Sequence, residues 1–375
     1  MKKKIAILGS TGSIGKNALS VIRDHSESFE VSALTANVNI KGLKEQICEF
    51  KPSFAALTGY DVKPIGLGGC SEISFGKDSI LEACLNADIV LLSVTGIAGL
   101  PAFEFCLKNN IPVALATKEA MVCGGRLARR LMDETKTPVL PVDSELSAIW
   151  QCLWGNNKKS IKKVLLTASG GPFRTWSKQR ILSAGIGDAL NHPNWNMGKK
   201  ITVDCASMAN KGLEIMETRW LFDIEPAKIS VVVHPESIIH SMVEYEDNAI
   251  MAQLGDKDMR IPIMNAFSYP ERLSNSAESI DLFDIGVLHF EKPDLEKFPC
   301  LSLAYEAVKN DGELQLIFNC ANEVAVEYFL NGKISFSQIY NIIENAMVKF
   351  SQIKVNNFDD IYEIDREVRS FLSYM

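Results

Sequence analysis

The sequence predicts an α/β protein with three successive textures: an N-terminal parallel sheet, a central α+β region and a C-terminal helical bundle. Three observations predict it. Over residues 1–142, short continuous apolar runs alternate with segments of helical period, the pattern of strands buried on both faces of a parallel sheet. Past Asp143, strand-like runs sit among longer loops rich in Gly, Pro, Asn and Trp. From Ser302 onward, apolar residues recur at three- and four-residue spacing, which is the helical repeat.

The elements follow in order. Residues 5–8 form a short apolar strand, and 16–25 a helix with Ala18, Val21 and Ile22 on one face. A second strand is expected at 29–34, a helix at 43–50, and further apolar strands at 54–57, 88–94, 112–116 and 138–142. Beyond a helix at 146–153, strands are expected at 163–167, 200–204, 229–234 and 249–254. The irregular stretch 279–301, with Pro293 and Pro299, is expected to be a linker. Helical faces then appear as Ile317, Cys320, Ala321, Val324 and Tyr328, and as Ile339, Ile342, Ile343 and Met347. The expected division is therefore 1–142, 143–278, the linker 279–301 and 302–375.

Composition narrows the function classes. The 375 residues exceed one ordinary domain. With 47% hydrophobic and 23% charged residues, packed cores are expected and disorder is not. A net charge of −7 argues against a general nucleic-acid binder, which needs a basic surface. The nine cysteines are scattered and never spaced C-x-x-C, which suits reduced thiols better than a disulfide framework or structural zinc. The first apolar run ends at Leu8, too short for an export signal, and no apolar run has membrane-spanning length. No nucleic acid, no membrane and a cytoplasmic location are the expectations.

The first strand runs into Gly9-Ser-Thr-Gly12-Ser-Ile-Gly15 and then a helix. Glycines permit the tight turn and a close approach to a pyrophosphate, and the helix N-terminus offers free N–H groups. At this position in a βαβ unit, the turn predicts a Rossmann-like nicotinamide dinucleotide site; the alternative is a strand–helix turn without ligand. After the second strand the chain reads Leu34-Thr-Ala-Asn37-Val38-Asn39, with Lys41 nearby and no Asp or Glu. A 2′-phosphate would not be repelled there, which favours NADP over NAD.

Asp143-Ser144-Glu145 follows the last apolar strand of this region, where open α/β sheets place ligands. In extended chain the two carboxylates would share a face and, as hard donors, suit Mg²⁺ or Mn²⁺. The alternative is a cap for the following helix. Glu214 is a candidate third carboxylate. Ser169-Gly170-Gly171 can form an anion-binding nest, and Asn210-Lys211-Gly212 offers an amide and an ammonium for a phosphate; either is also compatible with a plain turn. His192-Pro-Asn-Trp195-Asn-Met197-Gly198 puts an aromatic on a Gly/Pro-hinged loop, as a substrate lid requires.

Taken in order, these segments, together with Arg219-Trp-Leu-Phe222, His234-Pro-Glu-Ser-Ile-Ile-His240 and Gln253-Leu-Gly-Asp-Lys-Asp-Met259-Arg260, resemble the 1-deoxy-D-xylulose 5-phosphate reductoisomerases along essentially the whole chain. These are NADPH-dependent oxidoreductases of the non-mevalonate isoprenoid pathway. The resemblance implies that Thr11, Gly12, Ser13, Ile14, Asn39, Glu119 and Gly198 contact NADPH, and that Asp143, Glu145 and Glu214 hold Mg²⁺ or Mn²⁺, with Co²⁺ as a further candidate. It implies that Ser169, Asn210 and Lys211 grip the substrate phosphate, and that Lys118, Ser144 and His192 touch the sugar-like body. Trp195 is then the lid, Met259 lies near the substrate, and His240 supports the site. It also implies a homodimer, and a carbon-skeleton rearrangement followed by hydride reduction. The chain departs from the family pattern at Cys205, where Ser is usual, at Val38, where Lys is usual, and at Thr117, where Asn is usual. Two other classes share parts of this pattern: a metal-dependent phosphosugar isomerase or aldolase without a redox step, and a dinucleotide-sensing regulator.

Overall fold

The computed structural model describes residues 1–62, 72–195, 197–309 and 313–374. The chain forms two compact units. The first comprises 1–120, 130–147 and 258–278; the second comprises 121–129, 148–257 and 279–375.

In the first unit the described strands are β1 (Lys3–Leu8), β2 (Phe29–Ala36), β3 (Phe54–Leu57), β4 (Glu72–Phe75), β5 (Ile89–Leu92), β6 (Val113–Leu115) and β7 (Val139–Pro141). They form one sheet in the order β4-β3-β2-β1-β5-β6-β7, every pair parallel. Ile5, Ile7, Ile89, Leu91 and Ala114 are buried in its core, as continuous apolar strands require. Helix Ser13–Asp24 buries Ala18, Leu19, Val21 and Ile22 as one stripe. A late segment, helix Arg260–Ser268, completes the core with Ile263, Met264 and Phe267. The Phe267 ring meets Phe29 edge-on at 5.9 Å, and Lys3 Nζ donates to the Phe267 carbonyl at 2.7 Å, satisfying an orphan carbonyl of the helix end.

The second unit carries a mixed sheet of β8 (Ile161–Ala168), β9 (Ile229–Val233), β10 (Ile239–Tyr245) and β11 (Ile250–Leu254), in the order β11-β10-β8-β9. β8 and β9 are parallel; β10 runs antiparallel to both β8 and β11. Helices Pro299–Lys309, Glu313–Leu330, Gln338–Lys349 and Phe358–Ser373 form the C-terminal helical region. Ile317, Cys320, Ala321 and Val324 are buried in it, as are Ile339, Ile342, Ile343 and Met347, which agrees with the expected faces. Among the described residues, no helix is long and apolar enough to cross a membrane.

Three local expectations are corrected. Residues 200–204 belong to helix Lys199–Ser207, not to a strand. The β-branched run Ile201-Thr-Val203 favours extended chain, but Thr202, Val203, Ala206 and Ser207 are all buried. They lie three and four apart, so tertiary burial overrides propensity. Asn210-Lys211-Gly212 is not a turn; it lies in the first turn of helix Ala209–Phe222, just after left-handed Met208 (φ 60°). Gly212 serves close packing there, since a Cβ would come within 2.5 Å of Ala304 Cβ. Glu145 is not in extended chain, because helix Ser144–Cys152 begins one residue before it.

Candidate metal and substrate site

The glycine turn lies at the C-terminal end of β1, between β2 on one side and β5 on the other. Chain order reverses there, and such a switch point opens a crevice for ligands. Gly9 has φ +86°, and a Cβ would stand 2.7 Å from the Ser93 carbonyl oxygen. A Cβ at Gly15 would stand 2.5 Å from Ser10 Cα and 2.6 Å from the Gly9 carbonyl oxygen. Both positions therefore require glycine. The buried Ser10 hydroxyl contacts Gln46 Oε1 at 2.6 Å, Gln46 Nε2 donates back to the Ser10 carbonyl at 2.9 Å, and Gly9 N–H donates to Thr35 Oγ1 at 3.1 Å. Gly12 caps helix Ser13–Asp24 without a side-chain bond, so no side chain occupies that N-terminus as a cap. This supporting Ser10–Gln46 network carries no sequence signal.

Asn39 caps helix Ile40–Phe50 by accepting from Gly42 N–H at 3.0 Å, and neighbouring Val38 is exposed. The Thr117 hydroxyl donates to the carbonyls of Leu92 and Val94. That side chain therefore braces the end of β5, and Lys118 and Glu119 follow it, both buried, in the first turn of the next helix.

Of the two roles that the sequence allowed these acidic residues, the cap is seen directly at Asp143, and the carboxylates also gather as a group that could hold a metal. Asp143 Oδ1 accepts from Glu145 N–H at 3.2 Å, and the Asp143 carbonyl accepts from Ser147 N–H at 2.8 Å, so Asp143 does cap the helix. Its other oxygen faces Lys118 Nζ at 2.6 Å, with both side chains nearly buried. Ser144 donates to Glu145 Oε2 at 2.5 Å. Glu214 lies buried on helix Ala209–Phe222, where Asn210 Nδ2 donates to its Oε1 at 2.6 Å and Lys211 Nζ donates to its Oε2. One ligand atom each from Asp143, Glu145 and Glu214 lies within 4.8 Å of the others. Like charges this close repel unless a cation neutralises them, and three carboxylate oxygens are the donor set that a hard divalent ion takes.

Ser169, His192 and Trp195 lie together. Ser169 begins the turn after β8, and its hydroxyl lies 3.2 Å from His192 Nε2. His192 Nδ1 accepts the backbone N–H groups of Asn194 at 3.2 Å and Trp195 at 3.0 Å. With Nδ1 an acceptor, the neutral ring carries its proton on Nε2 and presents it to Ser169. Asn194 Nδ2 donates to the Pro235 carbonyl and to Ser237 Oγ, each at 2.8 Å, which ties the loop to the segment before β10. The Trp195 ring centroid is 6.4 Å from that of His240. His240 Nε2 in turn faces the Gly255 and Asp256 carbonyls at 3.2 Å. Gly171 has φ +66°, and a Cβ there would stand 2.6 Å from the Cys205 carbonyl oxygen. The Ser-Gly-Gly turn is thus seated directly on helix Lys199–Ser207. Gly198 is the exposed cap of that helix. Met259 packs against the core of the first unit, and the following Arg260 holds Asp258 through several bonds. Asn210 and Lys211, expected at a phosphate, both donate to Glu214 here.

Residues 5–125 match the family described as 1-deoxy-D-xylulose 5-phosphate reductoisomerase. Residues 139–222 match the C-terminal domain of 1-deoxy-D-xylulose 5-phosphate reductoisomerase, and 254–371 the DXP reductoisomerase C-terminal domain. The chain belongs to the 1-deoxy-D-xylulose 5-phosphate reductoisomerase family. It is 46% identical to the reductoisomerase of Chloroherpeton thalassium over 99% of this chain and 97% of that one. It is 47% identical to that of Thermoanaerobacter pseudethanolicus over 98% and 97%. Among solved reductoisomerases, that of Zymomonas mobilis in complex with NADPH superposes with a TM-score of 0.91 at 38% identity, covering 98% of this chain and 97% of that one. A reductoisomerase in complex with NADPH, fosmidomycin and magnesium superposes with a TM-score of 0.93 at 35% identity, covering 99% and 98%.

Proposed function

We propose that this chain converts 1-deoxy-D-xylulose 5-phosphate to 2-C-methyl-D-erythritol 4-phosphate, consuming NADPH and a proton and releasing NADP⁺, with a divalent metal. The observation that carries this is the convergence of Asp143, Glu145 and Glu214 within 4.8 Å in a chain of this family. A bound Mg²⁺ or Mn²⁺ supplies Lewis-acid polarisation of the substrate's carbonyl and hydroxyl oxygens, and NADPH supplies the hydride. Co²⁺ is the further ion to compare.

The remaining roles belong to the chain's own groups. Lys118, beside Asp143, and Ser144 orient the substrate's oxygens. His192 and Ser169, bonded to each other, meet its body and its phosphate. Asn210 and Lys211 turn from Glu214 toward the phosphate when a cation takes over the charge of that carboxylate. Trp195 closes over the substrate and excludes water, with His240 behind it and Met259 alongside. Thr11, Gly12, Ser13, Ile14, Asn39, Glu119 and Gly198 line the path of NADPH. Residues 1–142 serve as the cofactor region, 143–278 as the catalytic region, 279–301 as the linker and 302–375 as the helical support. Ile250, Met251 and Leu254 are exposed on edge strand β11, a feature that invites pairing with a second copy and supports a homodimer. Free thiols at the described cysteines support a cytoplasmic location.

The test is loss of the NADPH absorbance band on adding substrate and Mn²⁺, with NADH in parallel. Substrate- and metal-dependent oxidation of NADPH is expected. Product formation without oxidation would instead indicate an isomerase or aldolase.

A further inference from the structure

We propose that Asp204 is a positioning residue for the substrate phosphate, acting through the helix on which the phosphate turn is seated. Asp204 is 1% exposed, a buried carboxylate outside the metal triad. Its Oδ1 accepts from Asn322 Nδ2 at 2.8 Å, and its Oδ2 pairs with Lys200 Nζ at 2.9 Å. Asn322 lies on helix Glu313–Leu330. Lys200 stands two residues past Gly198, at the foot of the Trp195 loop. A buried charge held from both sides fixes its helix firmly, because moving it would leave an uncompensated carboxylate.

The next residue makes the link to chemistry. The Cys205 carbonyl occupies the space that a Cβ of Gly171 would need, so the Ser169-Gly-Gly turn rests against it. Farther along, the Ser207 hydroxyl accepts from Ala209 N–H at 3.3 Å and carries the chain into the helix of Asn210 and Lys211. A shift at Asp204 is therefore felt at both halves of the phosphate grip. The proposal rests on the phosphate reading of Ser169 and Lys211.

The test compares Asp204→Asn, Asn322→Ala and Ser169→Ala in the full chain with NADPH and Mn²⁺, and uses inorganic phosphate as competitor. Asp204→Asn and Asn322→Ala are expected to raise KM for the phosphorylated substrate by ~10-fold or more. Inhibition by inorganic phosphate weakens in step, while KM for NADPH is unchanged; Asp204→Glu recovers part of the loss. Asn322→Ala reports by itself if Asp204→Asn does not fold. Equal movement of the substrate and NADPH constants, or a lower Tm with both constants unchanged, would make Asp204 a scaffold residue and overturn the proposal. If Ser169→Ala weakens phosphate inhibition but the Asp204 and Asn322 variants do not, positioning fails while the phosphate reading stands. If Ser169→Ala leaves phosphate inhibition unchanged, the phosphate reading falls and the proposal falls with it.

Discussion

Lys118 and Asp143 face each other at 2.6 Å with little water around either, and in the absence of an ion the ammonium is what compensates that carboxylate. Lys118→Met should cost about 3–5 kcal/mol, the usual loss when one partner of a buried pair is removed. Because a cation can take over the neutralisation, Mn²⁺ should raise the Tm of this variant by more than it raises that of the wild type. An equal gain would mean that the ion does not bind beside Asp143. Asp143→Asn, Glu145→Gln and Glu214→Gln should each lower turnover by orders of magnitude while NADPH binding, followed by fluorescence, persists. Trp195→Ala should raise KM for the substrate; unchanged kinetics would remove the lid role. The candidate metal group was legible from residue type, since Asp143, Glu145 and Glu214 are carboxylates whose chemistry is local. Asp204 was not, because a carboxylate in an apparent strand gives no hint that it is buried or what holds it.

At the scale of elements, the β1–helix turn shows what a short motif can specify. The glycine spacing foretold the turn, and Gly15 now has a steric reason: a Cβ would meet backbone atoms at 2.5 and 2.6 Å, and backbone cannot rotate away. Gly15→Ala should cost about 1–3 kcal/mol, as overpacking does, and should raise KM for NADPH while leaving KM for the phosphorylated substrate near its original value. Helix Arg260–Ser268 makes the opposite point. Its place beside Phe29 in the first unit was not readable, because Phe29 and helix Ser13–Asp24 lie more than two hundred residues away in sequence. Phe267→Ala should therefore destabilise by about 3–5 kcal/mol, measured by urea unfolding, although it lies outside the N-terminal segment that supplies the sheet. The helix at 199–207 was misread for a related reason: Ile201, Thr202 and Val203 favour strand locally, and only burial against distant residues reverses that preference.

At the scale of the whole molecule, the alternation of apolar runs with helical periods sufficed for the fold class, since a parallel sheet covered on both faces leaves few other patterns. The mixed sheet was less legible: β10 was not separated from the loop before it, because His234-Pro-Glu-Ser reads as turn and Ser241 and Glu244 interrupt the apolar run. Stability across pH should bear the mark of Asp258. Burial opposes its ionisation, but the bonds from Arg260 outweigh burial and hold its pKa below the ordinary carboxylate value. The folded state therefore gains from this group above its unfolded pKa and loses that gain as pH falls through the lower folded one. Asp258→Asn should flatten the acid limb of the stability curve, and an unchanged limb would show that the pair contributes nothing. The central claim is that one divalent ion is held by carboxylates from two distant stretches of sequence. Calorimetric titration of Mn²⁺ into the wild type and Glu214→Gln, both with NADPH present, tests it most directly. One ion per chain should bind the wild type, and this binding should be lost or greatly weakened in the variant. Equal stoichiometry and affinity in the two proteins would contradict it.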